Sequence, residues 1–344
     1  MRRRRIFLTA CMSALLGAIL LSACSGGAGS SGADSITLYS GQHVQTTQEL
    51  VAAFEKKTGI TVNARYDDED VLADQIVTEG SHSPADVFFT ENSPPLEYLA
   101  SKNLLSTVDA STLANTPAKY NSTDGKWVGI SARVSVMVYN TALLKPSQLP
   151  TSVMQLADPE WKGKLAIAGG ETDFQPIVTS VARTYGDAAA LKWLEALKAN
   201  AGSHNYPDNE TIADEVNRGQ VAIGIINQYY WYRERAQIGA ANMHSAIAHF
   251  APHDVGYVLD VSGAGILKSS THQEEAQRFV GFLNSVQGQE IIAQSDSFEY
   301  PIGSGVTTVQ PETPFDQLQP NSITIPELGT GAEAIKLLQE AQLL

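Results

Sequence analysis

Short apolar runs and stretches of helical periodicity alternate along the chain from residue 36 onward. In the first part they predict the order strand, helix, strand, helix, strand, at residues 36–39, 46–57, 60–66, 69–79 and 85–89. Thr46 and Glu49 fit a capping box at the start of the first helix, and Gly59 is placed to end it. This alternation predicts an α/β fold with parallel strands and helices on the faces of the sheet.

The rest of the chain continues in the same style. Predicted strands lie at residues 164–168 and 220–226, and apolar or extended stretches lie at residues 255–258, 263–267 and 299–302. Predicted helices lie at residues 174–185, 188–199, 210–217, 272–283 and 332–343. A chain of 344 residues is longer than one hydrophobic core usually supports, so we expect two lobes or domains.

Polar side chains follow several of the predicted strands. His43 comes after the first strand, Glu91 after the third, and Tyr229 and Tyr230 after the strand at residues 220–226. Ligands of open α/β sheets bind beyond the carboxyl ends of the strands. Consecutive side chains at a helix start are about 100° apart, so both tyrosines can face one cavity. Taken alone, adjacent tyrosines are also explained by aromatic packing.

Charge and cysteine content limit the partners and the metal ligands that the protein can use. The 23 Lys plus Arg residues and 37 Asp plus Glu residues give a net charge of −14, which disfavours nucleic acid and anionic lipid as partners and favours a cationic ligand. The two cysteines, Cys11 and Cys24, both lie near the N-terminus. The body of the protein therefore has no disulfide and no thiolate metal site, which leaves histidine, carboxylate and phenolate as possible metal ligands.

The N-terminus is typical of an exported protein. Residues 2–5 are all arginine, an apolar run follows, and Leu-Ser-Ala-Cys closes the segment at Cys24 before a Gly/Ser linker at residues 25–35. The Leu-Ser-Ala-Cys motif resembles the lipobox of bacterial lipoproteins, which implies lipidation of Cys24 and anchoring to the membrane outside the cytoplasm. An ordinary signal peptide over residues 1–24 is the alternative, and both the twin-arginine and the general secretory routes fit the motif.

Five segments together carry a resemblance to a known family: Tyr-Ser-Gly-Gln-His at residues 39–43, Pro-Ala-Asp-Val-Phe-Phe-Thr-Glu at 84–91, Ala-Ala-Leu-Lys-Trp-Leu at 189–194, Ile-Asn-Gln-Tyr-Tyr-Trp at 226–231 and Glu-Tyr-Pro at 299–301. The chain resembles the ferric-ion-binding proteins of bacterial ABC importers. The resemblance implies a two-lobed periplasmic-binding-protein fold, each lobe a mixed, mostly parallel sheet flanked by helices, with a two-strand hinge. It places one lobe at residues 36–132 plus 259–309 and the other at residues 133–258 plus 310–344.

By this resemblance, the Fe3+ ligands are His43 and Glu91 from the first lobe and Tyr229 and Tyr230 from the second. Fe3+ is a hard ion that favours oxygen donors, and two phenolates with one carboxylate balance its three charges. The resemblance also implies a monomeric binding protein without catalytic activity, which delivers iron to a membrane permease. Free Fe3+, a small iron chelate and Fe2+ oxidised on capture all remain open as the captured form.

The rest of the coordination shell departs from the family pattern. Asn209 and Asn227 match the asparagines that hold a synergistic anion such as carbonate or phosphate in many relatives, but Glu171 and Asp173 stand where small neutral residues are expected. Since fixed negative charge disfavours a bound anion, we expect either no synergistic anion, with water or one of these carboxylates completing the shell, or a compensating cation. The candidate cations are Arg133 and Arg65.

Two other functions compete with iron binding. The same fold could bind an organic cation such as a polyamine or thiamine through Trp127, Trp231 and Tyr232. An extracellular enzyme is the third alternative, but the sequence contains no Gly-x-Ser-x-Gly, His-Glu-x-x-His or Gly-x-x-x-x-Gly-Lys-Ser/Thr motif.

Overall fold

The computed structural model describes residues 34–303, 305–308 and 312–344. The predicted signal peptide, Cys24 and nearly all of the predicted linker lie outside the described residues. Among the helices that the structure describes, none combines the length and the apolar character needed to cross a bilayer.

Nine strands and twelve α-helices form the described part of the chain. The strands are β1 (Ser35–Ser40), β2 (Thr61–Tyr66), β3 (Val87–Thr90), β4 (Trp127–Asn140), β5 (Leu165–Ala166), β6 (Ile223–Asn227), β7 (Ser245–Ala248), β8 (Leu259–Ile266) and β9 (Tyr300–Pro301). The helices are α1 (Val44–Thr58), α2 (Glu69–Glu79), α3 (Ser93–Ser101), α4 (Ala110–Leu113), α5 (Gln175–Tyr185), α6 (Asp187–Ala201), α7 (Asn209–Asn217), α8 (Gln228–Ile238), α9 (Gln273–Leu283), α10 (Val286–Gln294), α11 (Ile325–Leu328) and α12 (Ala332–Glu340).

The fold is α/β and two-lobed, with a mixed sheet. The strand order is β2-β1-β3-β8-β4-β6-β5, with β7 and β9 also paired to β4. β1 pairs in parallel with β2 and β3, as predicted, and β5 pairs in parallel with β6. All pairings of β4 and β8 are antiparallel. The predicted mixed sheet is confirmed, but antiparallel pairings outnumber parallel ones, because the antiparallel strands β4 and β8 occupy the centre of the strand order.

Strand β4 connects the two groups of strands. Its first half, from Trp127 to Val134, pairs with β8, and its second half, from Ser135 onward, pairs with β6 and β7. Every residue of the strand is buried. The predicted lobe boundary between residues 132 and 133 falls within β4, and this boundary stays a prediction.

Helix α1 sets the position of the first candidate ligand. It begins two residues before the predicted start, with His43 in the N-cap position and no capping hydrogen bond from a side chain. The predicted capping box at Thr46 and Glu49 is therefore wrong. Gly59 ends the helix in the left-handed conformation, with φ of 76°, as predicted. The helix packs on α9 through Phe54, whose ring lies edge-on to Phe279 with centroids 5.0 Å apart.

Candidate metal centre

The four predicted iron ligands all follow the end of a strand. His43 lies between β1 and α1, Glu91 directly follows β3, and Tyr229 and Tyr230 lie in the first turn of α8, directly after β6. His43 and the two tyrosines are buried, whereas Glu91 is partly exposed. The local sequence explains this placement, since the short turns after β1, β3 and β6 leave each side chain at the strand edge.

The structure brings these four side chains into contact. His43 Nδ1 lies 2.7 Å from Glu91 Oε1, and the Tyr229 hydroxyl oxygen lies 3.2 Å from Glu91 Oε2. The rings of Tyr229 and Tyr230 lie 4.2 Å apart, and the His43 ring meets the Tyr229 ring edge-on at 4.9 Å. Within the described residues, the other ring nitrogen of His43, Nε2, is buried without a hydrogen-bond partner. One nitrogen and several oxygens therefore converge, and the nitrogen is free for a ligand.

Asp173 joins the cluster from the turn before α5. Both phenol groups donate to its Oδ2 atom, Tyr229 at 2.9 Å and Tyr230 at 2.8 Å. Its Oδ1 atom accepts a hydrogen bond from Asn92 Nδ2 at 3.1 Å, and Asn209 Nδ2 lies 3.4 Å from Oδ2. Asp173 and Asn209 are thus placed beside the tyrosines, and Asn92 is an additional residue of the site.

The other predicted residues near the anion position take different places. Glu171 is partly exposed and lines an open cavity of about 330 Å³ together with Glu91 and Tyr230. Asn227 precedes the helix of the tyrosines and lines a small cavity beside Asp173. Arg65 lies over the ring of Tyr39 and 3.8 Å from Asp67, so it is engaged on the surface of β2 rather than in the cluster.

Arg133 is a buried cation beneath the site. Its side chain is 1% exposed, its Nη1 atom lies 3.7 Å from Glu299 Oε1, and its three nitrogens make no hydrogen bond in the described residues. Burial lowers the pKa of Arg133, but Asp260 and Glu299 raise this pKa by more, so the guanidinium stays charged. Its positive charge also acts on Asp173 and Tyr229.

Burial and neighbouring charges set the protonation states at the site. Burial, followed by the negative charges of Asp173 and Glu91, holds the pKa of both Tyr229 and Tyr230 well above its usual value, so both phenols are protonated at neutral pH. Burial lowers the pKa of His43, but the Glu91 carboxylate opposes this and leaves the pKa raised. Burial raises the pKa of Glu91, but His43 outweighs this effect and leaves the pKa lowered. The shared cause of both shifts is the 2.7 Å contact between the His43 ring and the Glu91 carboxylate.

Glu69, which the sequence analysis placed only at the start of a predicted helix, was missed as a residue of the site. Its side chain is buried, and its carboxylate accepts hydrogen bonds from the backbone N–H groups of Glu91 and Asn92 at 2.8 and 2.9 Å and from Asn92 Nδ2 at 2.7 Å. Burial, with the charges of Asp70 and Glu91, holds the pKa of Glu69 well above its usual value. Glu69 therefore fixes the segment that carries Glu91.

Gln42 and Arg233 were also missed. Gln42 Oε1 accepts a hydrogen bond from the His43 backbone at 2.7 Å, and its Nε2 donates to Ser262 and Glu299. Arg233 lines a cavity of about 390 Å³ with His43 and Glu91. The Gln-His pair in the sequence was a signal for Gln42, whereas no signal marked Arg233, which lies one helical turn beyond the tyrosines.

The aromatic residues of the organic-cation alternative are engaged by other protein groups. Trp127 is fully buried and donates to Glu97, and Trp231 donates to Ser245 and lies beneath Arg235. Tyr232 stacks on Phe298 with ring centroids 5.8 Å apart. These contacts are typical of packed aromatic residues rather than of a cation-binding cage.

Tyrosine hydroxyls provide additional oxygen donors at this position. Tyr229 lies beside His43 and Tyr230, and both hydroxyls reach Asp173. Within the described part of the chain, no group of three or more His, Cys, Asp or Glu side chains is arranged to hold a metal ion. Phenolate oxygens favour a hard metal ion.

Several known proteins with similar sequences and structures are named for iron binding. The model of the family described as bacterial extracellular solute-binding protein matches residues 40–290. The chain is 38% identical over 90% of its length to the Fe(3+)-binding periplasmic protein of Serratia marcescens, with 90% of that protein covered. It is 35% identical over 89% of its length to the major ferric iron-binding protein of Neisseria meningitidis, with 92% of that protein covered. Iron-bound HitA from Pseudomonas aeruginosa superimposes with a TM-score of 0.85 at 38% identity, over 90% of this chain and 99% of HitA.

Proposed function

Because the chain belongs to the bacterial extracellular solute-binding protein family, we propose that it captures ferric iron between its two lobes and delivers it to the permease of an ABC importer. The observation that carries this proposal is the convergence of two phenols, a carboxylate and an imidazole at the strand ends, in Tyr229, Tyr230, Glu91 and His43. The relatives from Serratia and Neisseria, named for Fe(3+) or ferric iron binding, support the choice of ion. The role is binding and delivery, without catalysis.

The donor set fits Fe3+ in charge and in hardness. A highly charged ion displaces the phenol protons on binding, although both phenols are protonated without it. Two phenolates and the Glu91 carboxylate then neutralise three positive charges. His43 Nε2, which has no hydrogen-bond partner among the described residues, supplies a nitrogen ligand.

The division of ligands between lobes gives a transport mechanism. With lobes at residues 36–132 plus 259–309 and residues 133–258 plus 310–344, His43 and Glu91 come from one lobe and the tyrosines from the other. Iron then binds the closed arrangement better than the open one and shifts the equilibrium toward closure. The permease can distinguish the loaded protein by this closed shape.

The membership of this family places the protein outside the cytoplasm, and Cys24 supplies the anchor that keeps it there. Lipidation of Cys24 would hold the monomeric receptor at the membrane beside its permease. Substitution Cys24→Ala should move the protein from the membrane fraction to the soluble fraction. Retention of this variant in the membrane fraction would show that Cys24 is not the anchor.

The colour of the iron complex tests the function. We expect the soluble chain that begins after Cys24 to develop a visible phenolate-to-iron charge-transfer band when chelated Fe3+ is added, and its melting temperature to rise. Tyr229→Phe and Tyr230→Phe should each weaken or abolish the band. Tyr185→Phe, at a position 54% exposed on α5, is the matched control and should leave the band unchanged. A colourless protein whose melting temperature does not respond to iron would contradict the proposal.

A further inference from the structure

Gln42 is buried in the connection between β1 and α1, directly before the candidate ligand His43. Its side chain is 3% exposed, although glutamine is mostly exposed in folded proteins. Its Oε1 atom accepts a hydrogen bond from the His43 backbone N–H at 2.7 Å, and its Nε2 atom donates to Ser262 Oγ at 2.6 Å and to Glu299 Oε2 at 3.0 Å. The acceptor oxygen and both donor hydrogens of the amide are therefore engaged inside the protein.

The partners of this amide belong to segments that are distant in the sequence. Ser262 lies on β8, and its cross-strand neighbour Ser131 on β4 donates to the same Glu299 oxygen at 2.6 Å. Ser131, Ser262 and Glu299 are each at most 2% exposed. A buried hydrogen-bond network of this kind restricts its side chains. Gln42 is thus anchored on β4 and β8, the two central strands of the sheet.

The ring of His43 contacts residues that are themselves candidate ligands. Its Nδ1 atom lies 2.7 Å from the Glu91 carboxylate, and the ring meets the Tyr229 ring edge-on at 4.9 Å. Both partners turn their oxygens to the metal when iron binds. The hydrogen bond from the His43 backbone to Gln42 involves no ligand atom, so it can persist with and without iron. This bond fixes the backbone from which the imidazole projects.

Gln42 therefore links the imidazole ligand to the centre of the sheet. We infer that Gln42 is a positioning residue for the metal site, which holds the backbone of His43 so that Nε2 reaches iron. The contacts of Gln42 with Ser262 and Glu299 give this position its fixed reference. The inference rests on the proposed ferric-iron function.

A purely structural role is the alternative, and Gln289 provides a matched comparison. Gln289 is also buried, its Nε2 atom donates to the backbone carbonyls of Ile130 and Leu283 at 3.0 Å each, and its Oε1 atom accepts from the Gly303 backbone at 2.7 Å. Its amide makes as many hydrogen bonds as that of Gln42, but none of these three partners is a candidate iron ligand. The two glutamines therefore separate an effect on stability from an effect on iron.

Substitution by methionine, which has nearly the size of glutamine but no amide, tests the inference. Gln42→Met and Gln289→Met each remove the buried hydrogen bonds of one amide, so both should lower the melting temperature. Only Gln42→Met should weaken Fe3+ binding, by about 10- to 100-fold, as is usual when a residue that orients a metal ligand is lost. It should also change the electron paramagnetic resonance spectrum of bound Fe3+, because the histidine nitrogen is displaced. Gln289→Met should keep the wild-type spectrum.

A double-mutant cycle shows whether Gln42 acts through His43. In a His43→Ala background, Gln42→Met should weaken iron binding by less than about twofold, because the ligand that it positions is already absent. Ser262→Ala removes one anchor and keeps the amide, so it should weaken iron binding by about threefold, less than Gln42→Met does. The Ser262→Ala variant decides the question if the Gln42→Met protein does not fold.

Three results would overturn the inference. The first is a wild-type affinity and spectrum in Gln42→Met, or a wild-type affinity in Ser262→Ala where Gln42→Met does not fold. The second is a loss of affinity in Gln289→Met that equals the loss in Gln42→Met. The third is an effect of Gln42→Met that is as large in the His43→Ala background as in the wild type. A wild-type protein without an iron-dependent visible band overturns the proposed function as well, so the wild-type spectrum distinguishes that failure from the other three.

Discussion

Tyr229 and Tyr230 have two properties that follow from their burial. Each phenol has a pKa held well above its usual value by desolvation and by the charges of Asp173 and Glu91, and each still has an acceptor for its proton. A buried phenol that keeps its proton is neutral and costs little to bury. The same phenol becomes a charged ligand when a strong Lewis acid arrives. The site is therefore stable without iron, and iron must displace the two phenol protons in order to bind.

The displacement of these protons predicts a steep dependence of iron affinity on pH. Because iron replaces one proton on each phenol, the affinity should rise by about two powers of ten per pH unit around neutrality. At acidic pH the raised pKa of His43 adds a third proton to be displaced, so the dependence should steepen there. Competition with a chelator between pH 6 and 8, corrected for the protonation of the chelator, measures the slope.

One phenol can be removed to check the stoichiometry of proton release. Tyr230→Phe should reduce the slope to about one power of ten per pH unit. An affinity that is independent of pH in the wild type would show that the phenols do not lose their protons to iron.

At the scale of elements, the sequence predicts those segments that carry their own start and end signals. Helix α2 has the predicted bounds, and α7 begins one residue before its predicted start, after Asp208, whose side chain accepts a hydrogen bond from the Thr211 backbone. Strand β4 was not predicted as a strand because all its side chains are buried, so its polarity does not alternate. Helix α3 was also missed, because Pro94 and Pro95 occupy its first turn, where proline is tolerated.

The residues of the candidate site were likewise predictable only where a local sequence signal marked them. His43, Glu91 and the tyrosines could be placed because each lies within three residues of the end of a strand. Glu69 and Asn92 could not, since their roles depend on contacts between segments that lie 23 residues apart, and Asn92 reaches Asp173 across 81 residues. No local pattern encodes such contacts.

The close packing of two elements beside the site supports a further prediction. A Cβ atom on Gly41 would lie 2.5 Å from Glu69 Cβ and 2.8 Å from Glu69 Cα, so Gly41→Ala must displace the start of α2. We expect this variant to lower the free energy of unfolding by about 1–3 kcal/mol. It should also weaken iron binding about tenfold, a loss of about 1.4 kcal/mol, because Glu69 holds the backbone of Glu91. Denaturant titration and iron competition measure the two effects.

Gly170→Ala is the control for stability. The nearest atom to its added Cβ would be Leu344 Cδ2 at 3.9 Å, an ordinary contact. Its free energy of unfolding should stay within about 0.5 kcal/mol of the wild type. A Gly41→Ala variant as stable as this control would show that α2 can move without cost.

At the scale of the whole molecule, hydrogen bonds join the two proposed lobes even without iron. Tyr229 binds Glu91, Asn92 binds Asp173, and Gln175 Nε2 donates to Asp70 Oδ2 at 3.1 Å. The first two involve the metal site, whereas the third lies outside the cluster of ligands. The closed form is therefore stabilised by hydrogen bonds within the metal site and by one hydrogen bond outside it. A mutation can remove the second kind without affecting the first.

Gln175 offers a means to change closure without touching a ligand. Gln175 is buried, and its partner Asp70 has a pKa raised by desolvation, which indicates that closure removes this carboxylate from water. In Gln175→Ala the carboxylate loses its donor in the closed form, whereas water can solvate it in the open form. A cost of about 1 kcal/mol to closure should weaken iron binding about fivefold. The charge-transfer band should not change, because no iron ligand is altered.

Small-angle scattering and iron competition test this separation of closure from coordination. The iron-free Gln175→Ala protein should have a larger radius of gyration than the wild type, and saturating iron should restore the wild-type value, since the metal still favours the closed arrangement. Gln287→Ala, at an exposed position on α10, is the matched control and should change neither quantity. A shifted band in Gln175→Ala would place this side chain in the coordination shell. An unchanged affinity would show that the Gln175–Asp70 hydrogen bond contributes nothing to closure.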